Sequence, residues 1–226
     1  MARQVRARVL LECQSVSGSL HFYPSTSLPS PALLTHSFIQ LFLLVALNKG
    51  ILKCISTDTL RQVKRTCDVG HPALHRSSYE GNEDPVVNWK ESCDILQDCI
   101  DATVNDCLRR GVSLVLEGVH IVPCKDIIKK WVDGGGVGLG IVLSIDDEEV
   151  HKRLIHGRGY LTGRGAETQL RSYHRIRAIQ AEMVRLGQEQ NWEIINEKTK
   201  DPFAIVTEII DHDNPTTPGK IHPLSL

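Results

Sequence analysis

Residues 54–61, Cys-Ile-Ser-Thr-Asp-Thr-Leu-Arg, bring a carboxylate and a guanidinium together where an apolar run gives way to a polar one. Asp58 in this position could orient or deprotonate a hydroxyl group. Arg61, one helical turn further on, could hold an anion beside it. The alternative interpretation is that Asp58 only caps the helix that follows.

The elements around Asp58 can be predicted from local pattern. Residues 51–55 are short, apolar and partly β-branched, which predicts a buried strand. Residues 56–58, Ser-Thr-Asp, are all good helix N-caps, and residues 60–65 can continue as a helix. In open α/β sheets ligands bind outside the carboxyl ends of the strands, so Asp58 and Arg61 should face such a crevice.

A second acid, Glu117, lies near the end of another apolar run, residues 113–119. A carboxylate at a strand end is well placed to hold Mg²⁺, directly or through water. The alternative is a strand-end glutamate that is merely solvated. Gly118 would let backbone or ligand approach closely. His120, taken alone, is more typical of a structural histidine than of a catalytic one.

The strongest electrostatic feature is the segment 151–177, which carries seven Lys or Arg residues and one acid, Glu167. Four glycines interleave with these charges, which predicts a flexible cationic hairpin or lid. Such a lid could close over a triphosphate and supply arginines to phosphoryl transfer. The alternatives are a solvated basic face or an RNA-binding surface, although Tyr160 and Tyr173 are few aromatics for the latter.

Composition restricts the remaining possibilities. The chain has 226 residues, 41% hydrophobic and 23% charged, with a net charge of −1, so bulk electrostatic binding to nucleic acid or to an anionic membrane is not expected. Seven cysteines without a Cys-x-x-Cys pair indicate reduced thiols, and hence a cytoplasmic protein. The early arginines lack an apolar signal-peptide core behind them. Residues 38–47 are apolar but too few to span a bilayer, and they predict a buried helix.

From about residue 48, strand and helix signals alternate, which predicts an α/β protein with a parallel sheet. The clearest helix should begin at Asp84-Pro85 and end at Gly111. The glycine-rich run 134–140 lacks the Lys-Ser/Thr of a phosphate loop and is interpreted as a turn. The further predicted elements are a helix at 125–131, strands at 139–145 and 192–196, a long helix at 169–190, and a last helix from Asp201-Pro202 to about residue 210.

Four segments in this order resemble the 2-phosphoglycerate kinase family. They are Ile-Ser-Thr-Asp-Thr-Leu-Arg at 55–61, His-Arg-Ser-Ser-Tyr-Glu at 75–80, Leu-Glu-Gly-Val-His-Ile-Val-Pro at 116–123, and the arginine-rich segment. That family belongs to the P-loop kinases and is similar to zeta-toxin-type kinases. The resemblance covers about residues 46–212, and its specificity lies in the combination of the segments.

The resemblance implies a three-layer P-loop kinase-like α/β fold, with a parallel sheet flanked by helices. It also implies ATP, Mg²⁺ and transfer of the γ-phosphoryl group to a small phosphorylated metabolite, which for the named activity is 2-phosphoglycerate. The implied roles are catalysis by Asp58, Arg158 and Arg164, substrate binding by Thr57, Arg61 and His120, ATP binding by Arg153 and Arg158, and metal binding by Glu117.

The chain departs from the family at its N-terminal part. These kinases begin with a strand, then Gly-x-x-x-x-Gly-Lys-Ser/Thr, then a helix, and no such motif occurs in the 226 residues. Residues 5–11 could be the strand, and Val-Ser-Gly-Ser at 16–19 looks like a fragment of the loop, but Leu20 and His21 follow it.

The lost lysine and hydroxyl group would remove a phosphate contact and a magnesium ligand. Such a loss costs roughly 10²–10³ in rate, so we expect ATP affinity and turnover to be severely impaired. The alternative is a non-catalytic member that binds a phosphorylated metabolite or a protein partner. We expect an irregular segment at 1–45, a kinase-like domain at 46–212 and a flexible tail at 213–226.

Overall fold

The computed structural model describes residues 8–14, 44–80, 84–162 and 166–212, with side chains from residue 44 onward except at 158–162. In this part of the chain five parallel strands form one sheet in the order β2-β3-β1-β4-β5. The strands are β1 (Arg8–Gln14), β2 (Lys53–Ser56), β3 (Leu114–Glu117), β4 (Val137–Leu143) and β5 (Glu193–Ile195).

The helices alternate with the strands, as the sequence predicts. They are α1 (Thr57–Cys67), α2 (Pro72–His75), α3 (Pro85–Arg110), α4 (Lys125–Asp133), α5 (Glu148–Thr162), α6 (Ala166–Arg171), α7 (Tyr173–Glu189) and α8 (Pro202–His212), and residues 44–48 are also helical. Among the described residues, no helix combines the length and the apolar character needed to cross a bilayer.

Strand β1 lies at the centre of the sheet and pairs with β3 on one side and β4 on the other. The predicted strand at 5–11 therefore exists, a few residues further on than expected. The neighbouring fragment at 16–19 lies outside the described residues. Because all strands are parallel, their carboxyl ends meet at one edge of the sheet, where α/β proteins bind ligands.

Two cores cover the two faces of the sheet, and alternation along β3 shows how the sequence divides them. Leu114 and Leu116 face a core built with α3, α4 and α7, whereas Val115 faces a core built with residues 45–51 and α8. All three β3 side chains are buried. The sheet is thus sandwiched between helices, which confirms the predicted three-layer α/β architecture.

Helix α3 carries the most complete local signals in the chain. The Asp84 side chain accepts a hydrogen bond from the Val86 amide at 2.8 Å, and Pro85 occupies the first helical position. Gly111 ends the helix in the left-handed conformation, with φ 62°. Both predicted boundaries of α3 are confirmed. They could be predicted because each depends on residues within one turn of the helix end.

The predicted glycine-rich hairpin is wrong for residues 151–162, because α5 continues through Gly157 to Thr162. Leu154 packs in the core beside α8, and Ile155 packs against Tyr173 on α7. A helical glycine costs only about 1 kcal/mol relative to alanine, so this apolar packing offsets it. The predicted long helix at 169–190 is interrupted at Ser172, where α6 ends and α7 begins.

Candidate active site

The candidate site lies at the carboxyl edge of the sheet, where β2 and β3 end side by side. Ser56, the last residue of β2, is in register with Glu117, the last residue of β3. Helix α1 starts immediately after β2, and the Ser56 hydroxyl accepts a hydrogen bond from the Asp58 amide at 3.2 Å. Ser56 is therefore the N-cap of α1, and the Asp58 carboxylate is not used for capping.

Thr57 and Gly118 bring α1 and the end of β3 into close contact. Thr57 is fully buried, and a Cβ atom at Gly118 would lie 2.1 Å from Thr57 Oγ1. Gly118 also has φ +131°, a conformation that side chains rarely adopt. The predicted close approach at Gly118 is therefore made by a side chain of the protein itself. A role of Thr57 in substrate binding stays a prediction.

His120 lies under Asp58 and is only 1% exposed. Its Nδ1 atom is 3.3 Å from Thr57 Oγ1 and 3.6 Å from Asp58 Oδ1, and its Nε2 atom is 3.3 Å from a terminal nitrogen of Arg61. Burial, followed by the charges of Arg61 and Arg65, lowers the His120 pKa to about 3. The imidazole is therefore neutral near pH 7, and its predicted contact with substrate stays a prediction.

Arg61 extends from α1 across the site to the backbone around α2. Its Nε donates to the Leu74 carbonyl and its Nη2 to the Ala73 carbonyl, both at 3.1 Å, and Nη2 also donates to the Arg76 carbonyl. Burial and the neighbouring Arg65 lower the pKa of the guanidinium. Arg61 thus holds α2 against α1, while its predicted contact with a substrate anion stays a prediction.

Other side chains hold the rest of residues 72–80. Arg65 also donates to the Leu74 carbonyl, and Arg175 on α7 donates to the Tyr79 carbonyl at 2.7 Å. The Asn88 amide group on α3 donates to the Glu80 carbonyl at 3.3 Å. This segment, which includes the His-Arg-Ser-Ser-Tyr-Glu motif, is therefore connected to three helices, and it borders the Arg61 side of the site.

Glu117 is half-buried at the end of β3. Together with burial, its charge raises the pKa of the Cys54 thiol on the adjacent strand. No cluster of three or more His, Cys, Asp or Glu side chains suited to a metal occurs among the described residues. Mg²⁺ in phosphoryl-transfer sites is commonly held by one or two carboxylates plus phosphates and water, so the oxygen donor of Glu117 fits such an ion.

Of the three arginines predicted to bind ATP or take part in catalysis, the structure describes the side chain of one, Arg153. Arg153 is exposed on α5. The backbone of Arg158 belongs to the same helix, but its side chain lies outside the described residues. Arg164 lies wholly outside them. The site as described therefore unites Thr57, Asp58, Arg61 and His120 beside Glu117, and the roles of the arginines stay predictions.

Trp89 is a supporting residue of the site, and it lies on the buried face of α3. Its indole N–H donates to the Val119 carbonyl at 2.6 Å, which fixes the turn between Glu117 and His120. A buried tryptophan normally finds a partner for its N–H. That rule predicts that a partner exists, but the sequence does not show which carbonyl it is.

The parallel sheet in the order β2-β3-β1-β4-β5, with helices on both faces, is a P-loop kinase-like α/β fold. Comparison with curated proteins shows that the chain belongs to the 2-phosphoglycerate kinase family. A protein of this name from Methanopyrus kandleri is 32% identical over 165 residues, which are 67% of this chain and 50% of that protein. One from Methanocaldococcus jannaschii is 29% identical over 182 residues, 73% of this chain and 57% of the relative.

A third protein of the same name, from Methanothermobacter thermautotrophicus, is 30% identical over 127 residues, 50% of this chain and 41% of that protein. The chain thus spans about half the length of the curated relatives it matches. No protein-family model matches it. The family resemblance carried by the four sequence segments is confirmed.

Proposed function

We propose that this protein transfers the γ-phosphoryl group of ATP to 2-phosphoglycerate and forms 2,3-bisphosphoglycerate and ADP. The names of the relatives support the choice of acceptor. The observation that carries the proposal is the position of Asp58. Its carboxylate is freed from capping by Ser56 and lies at the sheet edge beside His120, with a side chain 20% exposed.

The reaction assigns a distinct task to Asp58. The C3 hydroxyl oxygen of 2-phosphoglycerate forms a bond to the γ-phosphorus while the bond from that phosphorus to the β,γ-bridging oxygen breaks, and ADP leaves. The hydroxyl proton passes to the Asp58 carboxylate. A positioned general base of this kind contributes roughly 10²–10⁴ in rate.

The remaining site residues would serve charge and orientation. Glu117 would hold Mg²⁺, which supplies neutralising charge to the phosphates. Arg153, Arg158 and Arg164 would approach the triphosphate from α5 and the segment after it. Phosphoryl transfer depends mainly on such positioning and charge stabilisation, which is why basic residues are proposed for this role.

A second candidate function is favoured by the absence of Gly-x-x-x-x-Gly-Lys-Ser/Thr from the sequence. Without that motif the protein could bind a phosphorylated metabolite, or a protein partner, through the Asp58 side of the site and leave it unchanged. This candidate predicts that 2-phosphoglycerate binds while Mg-ATP does not. The two candidates therefore differ in ATP binding and turnover.

A paired binding and turnover experiment tests both functions. Calorimetry measures the binding of 2-phosphoglycerate and of Mg-ATP, and ³¹P NMR follows the formation of 2,3-bisphosphoglycerate. We expect Asp58→Asn to lower kcat by about 10²–10⁴ with little change in the KM for ATP. Asp94→Asn, an exposed acid on α3, is the matched control.

Each outcome selects one interpretation. Product formation that Asp58→Asn abolishes and Asp94→Asn retains supports the kinase. Binding of 2-phosphoglycerate without ATP binding or product, even at high protein concentration, supports the non-catalytic binder and overturns the kinase. Failure to bind 2-phosphoglycerate at all, in a folded protein, contradicts both functions.

A further inference from the structure

His120 is a buried polar side chain whose two ring nitrogens both face polar groups. Nε2 faces Arg61, and Nδ1 faces Thr57 Oγ1 and Asp58 Oδ1 at 3.3 and 3.6 Å. The proposed phosphoryl transfer uses Asp58 directly and assigns no chemical step to the ring below it. Such a group, packed against a reacting carboxylate, could fix the position of that carboxylate.

The contact with Arg61 determines which ring nitrogen carries the proton. A guanidinium group only donates hydrogen bonds, so Nε2 must accept at this 3.3 Å contact. The lowered His120 pKa agrees with a neutral ring. A neutral imidazole that accepts at Nε2 carries its hydrogen on Nδ1. The Nδ1–H therefore points toward Thr57 and Asp58.

Arg61 is itself held in place, so the orientation of the ring does not depend on solvent. Its Nε and Nη2 donate to the carbonyls of Leu74 and Ala73, each at 3.1 Å. The guanidinium of Arg61 thus connects the backbone of residues 72–76 to the imidazole, and the imidazole in turn contacts the start of α1. Each step is a contact between groups whose donor and acceptor roles are determined.

We propose that His120 is a positioning residue for Asp58, with its Nδ1–H directed between Thr57 Oγ1 at 3.3 Å and Asp58 Oδ1 at 3.6 Å, so that Oδ2 receives the proton of the acceptor hydroxyl. This inference rests on the proposed kinase function, because it assigns a proton to Asp58. His120 takes no proton itself, since Nδ1 is already protonated. A misplacement of about 1 Å at a reacting group can cost 10²-fold in rate, which sets the scale of the effect.

Two substitutions of His120 separate the contact of Nε2 with Arg61 from the contacts of Nδ1 with Thr57 and Asp58. In His120→Asn the side-chain N–H₂ can occupy the place of Nδ1–H and still donate toward Asp58. In His120→Gln the side-chain oxygen can occupy the place of Nε2 and accept from Arg61, but no donor faces Asp58. We expect H120Q to lower kcat by roughly 10²-fold with an unchanged KM for ATP, and we expect H120N to retain most of the activity.

A purely structural role predicts a different result. His120→Asn removes the contact with Arg61, and His120→Gln removes those with Thr57 and Asp58. With a purely structural role both variants would lose stability, and kcat per folded molecule would fall equally in both or in neither. Equal kcat values for H120N and H120Q therefore overturn the proposal. A selective loss in H120Q, with matched urea unfolding curves, supports it.

A second measurement needs no activity, so it separates failure of this inference from failure of the kinase proposal. In ¹⁵N-labelled protein at pH 7, the His120 Nδ1 resonance should be of the protonated, pyrrole type and Nε2 of the unprotonated type. Asp58→Asn should shift Nδ1, whereas Asp94→Asn should not. If the wild type forms no product, the kinase proposal fails, and these spectra alone test whether His120 Nδ1–H faces Asp58. A ring protonated at Nε2, or an Nδ1 resonance that Asp58→Asn does not shift, overturns the proposed positioning role of His120.

Discussion

Gly118→Ala is the substitution that most directly tests the contact between β3 and α1. The new Cβ atom would lie 2.1 Å from Thr57 Oγ1 and 3.3 Å from Thr57 Cβ. Thr57 is fully buried at the start of α1, so the hydroxyl cannot move away into solvent. We therefore expect the variant to be markedly less stable than the wild type.

Two separate costs make up the expected magnitude. Overpacking of a filled interior costs about 1–3 kcal/mol. Backbone at φ +131° is a conformation reserved mainly for glycine, and a side chain there costs about 1–3 kcal/mol more. The sum, roughly 2–6 kcal/mol, is a large fraction of the 5–15 kcal/mol that stabilises an ordinary domain.

The assay is urea unfolding of four proteins: the wild type, Gly118→Ala, Thr57→Ala and the double variant. Removing the Thr57 hydroxyl removes the closest contact and leaves the one with Thr57 Cβ at 3.3 Å. In that background Gly118→Ala should therefore cost mainly the backbone part, about 1–3 kcal/mol. Gly70→Ala is the control, because no atom lies within 4 Å of its Cβ position and its φ is ordinary. It should leave stability unchanged or raise it by up to about 1 kcal/mol.

The reasoning fails if Gly118→Ala costs no more than Gly70→Ala. It also fails if the cost is the same with and without the Thr57 hydroxyl, because the close contact would then contribute nothing. A double-mutant cycle isolates that pairwise free energy provided that neither single change introduces new contacts.

Two further predictions concern residues around the site and its supporting helices. Trp89→Phe should lower the free energy of unfolding in urea by about 1–3 kcal/mol more than Trp192→Phe, because it leaves the buried Val119 carbonyl without the indole donor. Trp192 is the control, since its indole N–H has no partner among the described residues. Equal losses of stability in the two variants would contradict this prediction. The Arg185 hydrogen bond, with Lys90 contributing, lowers the Glu182 pKa from 4.5 to about 2. The stability that this lowered pKa provides is present above pH 4.5 and is lost as the pH falls toward about 2. Glu182→Gln should therefore lose less stability than the wild type between these pH values. Parallel acid-unfolding curves of the two proteins would contradict this prediction.

The parts of the fold that could be predicted from the sequence depend on neighbours along the chain. The ends of α3 follow from Asp84-Pro85 and Gly111, each within a turn of the boundary it sets. The placement of Asp58 and Glu117 at the same edge of the sheet follows from the rule that parallel strands end at one edge. Register places Ser56 beside Glu117, which agrees with that rule.

The parts that could not be predicted depend on distant residues. His120 contacts Thr57 and Arg61, which are 63 and 59 positions away in sequence, so its burial could not be inferred from its own neighbours. Local composition predicts a flexible hairpin at residues 151–177. The backbone is helical at Gly157 because Leu154 packs beside α8 and Ile155 packs against Tyr173, and these contacts cannot be read from neighbouring residues.

The hydrogen bonds of Arg61 also limit how this residue could meet a substrate. A guanidinium group has five N–H donors, and the contacts to Leu74, Ala73, Arg76 and His120 occupy four of them in the described part of the chain. A bidentate grip on a phosphate or carboxylate needs two parallel donors, so Arg61 could offer an anion one N–H and its charge. Under the proposed function, specificity for the acceptor would then come from other groups at this edge. The main effect of Arg61 is to hold the Asp58 side of the site in one arrangement before any substrate binds.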